Sequence, residues 1–160
     1  MKNLEDLFQH QLKDLYSAET QHLKVIPKLV EAVHDSKLKQ LFQDHLKETE
    51  DHKKRLEEIA EELGFKPTGE ECKAMGGLIK ETESFLKEDA EPAVMDAGII
   101  AEAQRIAHYE ITGYGTVTRY AKELGHDDIA KKLHEIFKDA ENCDKSLNEM
   151  AENRLNKKAI

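Results

Sequence analysis

Gly64-Phe-Lys-Pro67-Thr-Gly-Glu-Glu-Cys72-Lys-Ala-Met-Gly76-Gly77-Leu78-Ile79 is the stretch on which the topology turns. Before it, a helical apolar stripe runs out in Glu62-Leu63-Gly64. Glycine supplies the left-handed residue that follows a helix, Phe65 the next apolar contact and Pro67 the stop. After it, Leu78, Ile79, Thr82, Phe85 and Leu86 make a short amphipathic helix. The next long stripe starts near Glu91-Pro92, where proline suits a first helical turn. The link over 64–91 is far longer than an antiparallel helix pair needs. It suits a crossover returning along a bundle, about 40 Å at ~1.5 Å per helical residue.

Outward from this link the chain reads as four long helices. Leu, Lys, Glu, Ala and Gln are abundant, and three prolines interrupt them. The first stripe, about 3–34, runs from Leu4 and Phe8 through Leu12, Leu15 and Ile26 to Val33, with Asn3 as N-cap. Pro27 lies inside it and predicts a kink rather than an end. The second, about 36–63, carries Leu38, Phe42, Leu46, Leu56 and Ile59 behind cap oxygens at Asp35 and Ser36. The third, about 92–124, ends in Glu123-Leu124-Gly125, echoing the second. The fourth, about 127–155, is capped by Asp127 or Asp128 and carries Ile129, Leu133, Ile136, Ala140 and Leu147. The links near 35 and 125 are short, so each flanking pair is antiparallel. With the long crossover between, helices two and three run parallel. The expectation is one all-α domain over 1–160, a ferritin-like four-helix bundle with a short fifth helix in the crossover.

Composition bounds the function. The 160 residues carry 24 basic and 33 acidic side chains, a formal charge of −9. Lys and Arg are scattered among acids, which argues against a nucleic-acid partner. No apolar run is long enough for a transmembrane helix, and the first residues lack the apolar stretch of a secretory signal. Two cysteines, Cys72 and Cys143, make neither a disulfide framework nor a CxxC metal site, and read as reduced thiols of a cytoplasmic protein. Gly113-Tyr-Gly115 lies inside a helix and is no phosphate loop.

Charged residues interrupt the apolar stripes, and their positions correspond. Glu19 and His22 fall between Leu15 and Ile26. His45, Glu48 and His52 fall between Leu41 and Leu56, with His45 nearer the edge. Glu110 precedes Tyr114, and Asp144 adjoins the Ala140–Leu147 line. Glu19 and His52 lie at nearly equal distances in sequence from the turn near 35, as do His22 and Glu48, so antiparallel packing puts each pair at matching heights and lets the four face one another. Carboxylates and imidazoles converging inside four helices are what a carboxylate-bridged di-iron or di-manganese site requires. A buried ion pair, or a solvated stripe edge, accounts for any one of these residues better than a metal does, and only the matched heights of Glu19 and Glu48 with His52 bring the two readings level. The metal-ligand candidates are Glu19, Glu48, His52, Glu110 and Asp144.

At these segments the chain resembles the YciF-like family of bacterial ferritin-like stress proteins. The matching stretches are Leu15-Tyr-Ser-Ala-Glu19, His45-Leu-Lys-Glu-Thr49 and Cys72-Lys-Ala-Met-Gly-Gly-Leu-Ile79, then Ala103 to Ile111 with Tyr114-Gly-Thr116, and Asp144 with Leu147. The resemblance implies a ferritin-like bundle, a homodimer rather than an iron-storing shell, and a di-metal centre associated with stress. Two positions depart from the family pattern. Ala107 stands where a carboxylate is usual in helix three, and Ala140 lies on the inward line where helix four usually has an acidic run. The site is then dinuclear, as in a di-iron oxidoreductase, or mononuclear and His-enriched through His22 and His52, or lost. In the last case the chain is a metal-free structural or interaction protein.

Overall fold

The computed structural model describes all residues, Met1–Ile160. Four long helices, α1 (Leu4–Ala32), α2 (Ser36–Glu62), α4 (Pro92–Glu123) and α5 (Asp127–Met150), form the bundle, and α3 (Lys73–Phe85) lies in the crossover. There are no strands. Asn3 caps α1 by accepting from the Asp6 N–H at 2.8 Å. Asp35 caps α2 by accepting from the Lys37 and Leu38 N–H groups. α1 passes through Pro27 as one helix. Gly64 and Gly125 have φ of 75° and 79°. Phe65 N–H then reaches back to the Ala60 carbonyl and His126 N–H to that of Ala121, the Schellman closure that ends α2 and α4. Neither Asp127 nor Asp128 caps α5. Both sit inside its first turn, where their charge faces the positive helix end.

Contacts at the two ends fix the directions. The backbone N–H groups of His34 and Asp35 donate to the Asp96 carboxylate at 2.8 Å each, so α4 begins beside the α1–α2 turn. His126 lies 3.6 Å from Glu5, so the α4–α5 turn sits beside the start of α1. Helices α2 and α4 are therefore parallel, and the order is the single crossover of ferritin-like folds. α3 straps across α1 and α4. Its first turn is held by Ser17 Oγ, which accepts from the Cys72 N–H, and by Gln21, which donates to the Cys72 carbonyl. Its far end sets Phe85 against Gly98, where an added Cβ would stand 1.9 Å from the ring. As an α-helix α5 stops at Met150, short of 155. The chain continues as a π-helical turn (Ala151–Leu155) that buries Leu155 and sets Arg154 on the Asp35 carboxylate, and ends in a short α6 (Asn156–Lys158).

The core has two large halves and a smaller apolar cluster under α3, where Ala18, Val25, Cys72, Met75 and Ile106 pack together. One half, at the α1–α2 turn, packs Ile26, Leu29, Leu38, Phe42, Ile99 and Leu147. The other, at the α4–α5 turn, packs Phe8, Leu12, Leu56, Ile59, Val117 and Leu133. Between them the bundle has a polar waist.

Candidate metal centre

Heptad spacing builds the waist. On α1 the buried positions Leu12, Leu15, Glu19, His22, Ile26 and Leu29 alternate three and four residues apart. On α2 the same spacing gives Leu38, Phe42, His45, Thr49, His52, Leu56 and Ile59. Polar residues occupy mid-helix inward positions, so folding drives them into the centre with their apolar neighbours. Glu110 does the same on α4. Glu19, His22, His52 and Glu110 are each at most 3 % exposed, and His45 5 %.

His22 Nδ1 is 2.7 Å from Glu110 Oε1, both groups buried. The His22 and His45 rings lie 5.1 Å apart. Ligand atoms of His22, His45 and Glu110 all lie within 4.8 Å of one another. Glu19 stands one helical turn from His22. Its Oε1 accepts from the Tyr114 hydroxyl at 2.5 Å and lies 3.8 Å from His52 Nδ1. Its Oε2 is buried with no hydrogen-bond partner. His52 Nε2 reaches Asp139 Oδ2 at 3.1 Å.

Three of the five expected ligands, Glu19, His52 and Glu110, stand in the waist. The other two do not. Glu48 is half exposed, because Thr49 takes the inward heptad position and the next residue back turns about 100° away. Asp144 is displaced likewise: α5 points Ala140 and Cys143 inward, and Asp144 instead meets Gln104 and His108 on the α4 side. His45, placed at the edge by sequence, is inside. The signal for it was the seven-residue interval from His45 to His52, matching Glu19 and Ile26 on α1. At this level α5 supplies no carboxylate to the interior.

The electrostatics follow from burial. Burial raises the Glu19 carboxyl well above the usual carboxylate range, and the Glu110 charge adds to this. Burial also acts on Glu110, but His22, aided by His45 and His52, outweighs it and holds that carboxyl below its ordinary value. The two carboxyls are thus pushed in opposite directions. Burial disfavours protonation of His45, yet contacts from Cys143, Glu48 and Glu110 overcome it and raise its pKa. At His52 burial prevails over Asp139 and lowers it. The Tyr114 hydroxyl is raised by burial and by Glu19.

Donor set and geometry admit a divalent cation. Two imidazoles and one carboxylate make the triad that suits non-haem iron and related metals, and Glu19 Oε2 is a buried oxygen with no hydrogen-bond partner. A cation there would be matched by Glu110 and by ionisation of Glu19. The family described as a domain of unknown function, DUF892, matches residues 3–160.

The chain belongs to the DUF892 family.

Among relatives, Protein YciF of Escherichia coli (strain K12) is 40 % identical over 160 residues, covering 99 % of this chain and 96 % of that protein. The crystal structure of that protein, described as a stress protein, superposes with a TM-score of 0.93 at 39 % identity over 98 % and 99 % of the two chains. YcfI of Rhodopseudomonas palustris, described as a candidate structural protein, gives 0.89 at 41 % identity over 92 % and 94 %. A protein of Xanthomonas campestris shares the fold alone, at 0.74 and 17 % identity over 94 % and 93 %. This DUF892 chain is thus an all-α bundle like its relatives, and none of its helices is long and apolar enough to cross a membrane.

Proposed function

We propose that this DUF892 chain is a metal-binding, stress-associated protein that holds one divalent first-row cation, iron or manganese, at the bundle waist. The observation that carries the reading is the buried His22–His45–Glu110 triad beside the orphaned Glu19 Oε2. Two inward carboxylates can neutralise one divalent ion, and α5 turns Ala140 and Cys143 inward rather than a further carboxylate. This favours a mononuclear site over a dinuclear one. His22, His45 and Glu110 would hold the ion, Glu19 would complete the charge, and His52 would orient Glu19. Tyr114 fixes Glu19 Oε1 through its hydroxyl, and the apolar halves of the core exclude bulk water above and below. Bound iron or manganese supplies Lewis acidity and one-electron chemistry toward oxygen or peroxide. A cytoplasmic site fits the two free, buried thiols. A homodimer belongs to the same reading, and a stable 18.3 kDa monomer at micromolar concentration would contradict it.

Anaerobic reconstitution with Fe(II) or Mn(II), desalting and metal analysis tests the site. We expect about one equivalent per chain, and loss of binding in His22→Ala and Glu110→Gln. Retention below a tenth of an equivalent by the unmodified protein refutes it.

One observation favours a second reading, a metal-free structural protein. His22 already bonds Glu110 and Tyr114 already bonds Glu19, so much of the waist is satisfied without a cation. The description of YcfI as a candidate structural protein accords with it. A ligand of the native state must raise the melting temperature, so no shift with any divalent cation decides for this reading.

A further inference from the structure

One waist residue, His45, also faces a cleft on one side of the bundle. Between α2 and α5 lies a cleft of about 190 Å³ whose walls include Asp44, His45, Glu48, Asp139 and Cys143, with no Lys or Arg among the lining residues. His45 belongs to both places: it walls the cleft, and it is one of the three members of the buried triad. Its Nδ1 lies 3.4 Å from Glu48 Oε2. His52 makes a second link, with Nε2 3.1 Å from Asp139 Oδ2 and Nδ1 3.8 Å from Glu19 Oε1. Two nine-tenths-buried imidazoles therefore each join a cleft carboxylate to the donor cluster inside. Glu48 and Asp139 are 50 % and 38 % exposed, so both meet solvent.

The chemistry of the cleft selects its visitor. Carboxylates of one sign between low-dielectric helix walls concentrate cations and repel anions. The lining is polar, with only Leu41 and Cys143 apolar, which disfavours a hydrophobic ligand. The cleft has room for a hydrated cation, since each of about six waters needs roughly 10–15 Å³ of such space. Oxygen donors at the rim and nitrogen donors within are ordered from the ligands that hold a hydrated ion loosely to those that hold a first-row metal firmly.

We propose that the α2–α5 cleft is the route by which a divalent cation reaches the waist, with Glu48 and Asp139 as relay carboxylates and His45 and His52 as the residues that receive from them. The proposal rests on the metal-binding reading above. It also accounts for Glu48, which shares a helix face with the ligands in sequence yet stands outside the site.

Co(II) added to metal-free protein in a stopped-flow instrument at low ionic strength reports loading through its visible absorbance, and metal analysis reports the plateau. The Glu48→Gln/Asp139→Asn double variant keeps shape and touches exposed groups, so it folds. We expect it to load about tenfold or more slowly than wild type and to reach the same stoichiometry. The control Glu50→Gln/Glu58→Gln removes equal charge from other exposed positions of α2 and should load within about twofold of wild type. Loading of the cleft variant at the wild-type rate, or equal slowing in the control, overturns the route. A lowered plateau also overturns it, because Glu48 or Asp139 would then be a ligand. If wild type itself takes up no Co(II), the binding reading fails first, an outcome distinct from unaltered kinetics at full stoichiometry.

Discussion

Glu19→Gln should stabilise the metal-free protein and weaken the metal-loaded one. Glu19 is fully buried, and desolvation together with the nearby Glu110 charge raises its carboxyl well above the ordinary value. In the unfolded chain it titrates near the usual glutamate pKa of about 4.3. Below that pH both states hold the proton and there is no cost. As pH rises above it, the unfolded chain releases the proton while the folded one keeps it, so stability falls by about 1.4 kcal/mol per pH unit until the raised pKa is passed. Glutamine keeps the shape and the acceptor for Tyr114 and has no proton to lose.

The gap between variant and wild type should therefore be small at pH 4.5 and grow to about 1.5–3 kcal/mol by pH 6.5. For a domain of this size that is roughly 3–10 °C in melting temperature. Thermal melts followed by circular dichroism in EDTA at pH 4.5, 5.5 and 6.5 measure it. A gap that is independent of pH, or a variant less stable than wild type at pH 6.5, refutes the reasoning, since Glu19 would then be ionised and compensated in the metal-free fold. With saturating Fe(II) or Mn(II) the sign reverses: the variant lacks the charge that a cation demands and should lose most of the metal-dependent rise in melting temperature.

Three further outcomes follow from other parts of the molecule. Gly98→Ala places a methyl 1.9 Å from the Phe85 ring and should cost about 1–3 kcal/mol in chemical denaturation, with partial recovery when Phe85→Leu is added. Arg154→Ala should lower the melting temperature at pH 7. The Arg154 hydrogen bond chiefly holds Asp35 below its normal pKa, so the contribution is present above the unfolded value, about 3.9, and lost as pH falls below it; wild type and variant should converge in acid. Finally, an aromatic disulfide reagent at pH 8 should label Cys143, which walls the open cleft, before Cys72, which is 1 % exposed and whose thiol burial pushes up; Cys72 should react only on unfolding.

The YciF-like resemblance and the helical bundle were legible in the residues because both are periodic or local. Apolar residues at three- and four-residue intervals mark the inward faces, Gly64 and Gly125 mark the ends, and the long link at 64–91 forces a crossover; these signals need no knowledge of neighbours. The polar interruptions were legible too, and Glu19, His52 and Glu110 stand in the waist that they suggested. Which side chains converge was not, because that depends on rotation about each helix axis to within one residue. Glu48 and Thr49 differ by about 100° of that rotation, and both fit the spacing of His45 and His52 within one turn. Packing of α2 against α1 and α5 chose Thr49, at 0 % exposure, for the interior. The same rotation on α5 brought in Ala140 and Cys143 and left Asp139 and Asp144 to either side. The cleft is likewise a property of the assembled bundle: small side chains on α5 opposite His45 leave room that no single helix encodes. Sequence determined that charge would lie at mid-bundle, through the pattern of each strip of chain; tertiary packing decided which charges face one another, since only the docked helices fix their mutual rotation.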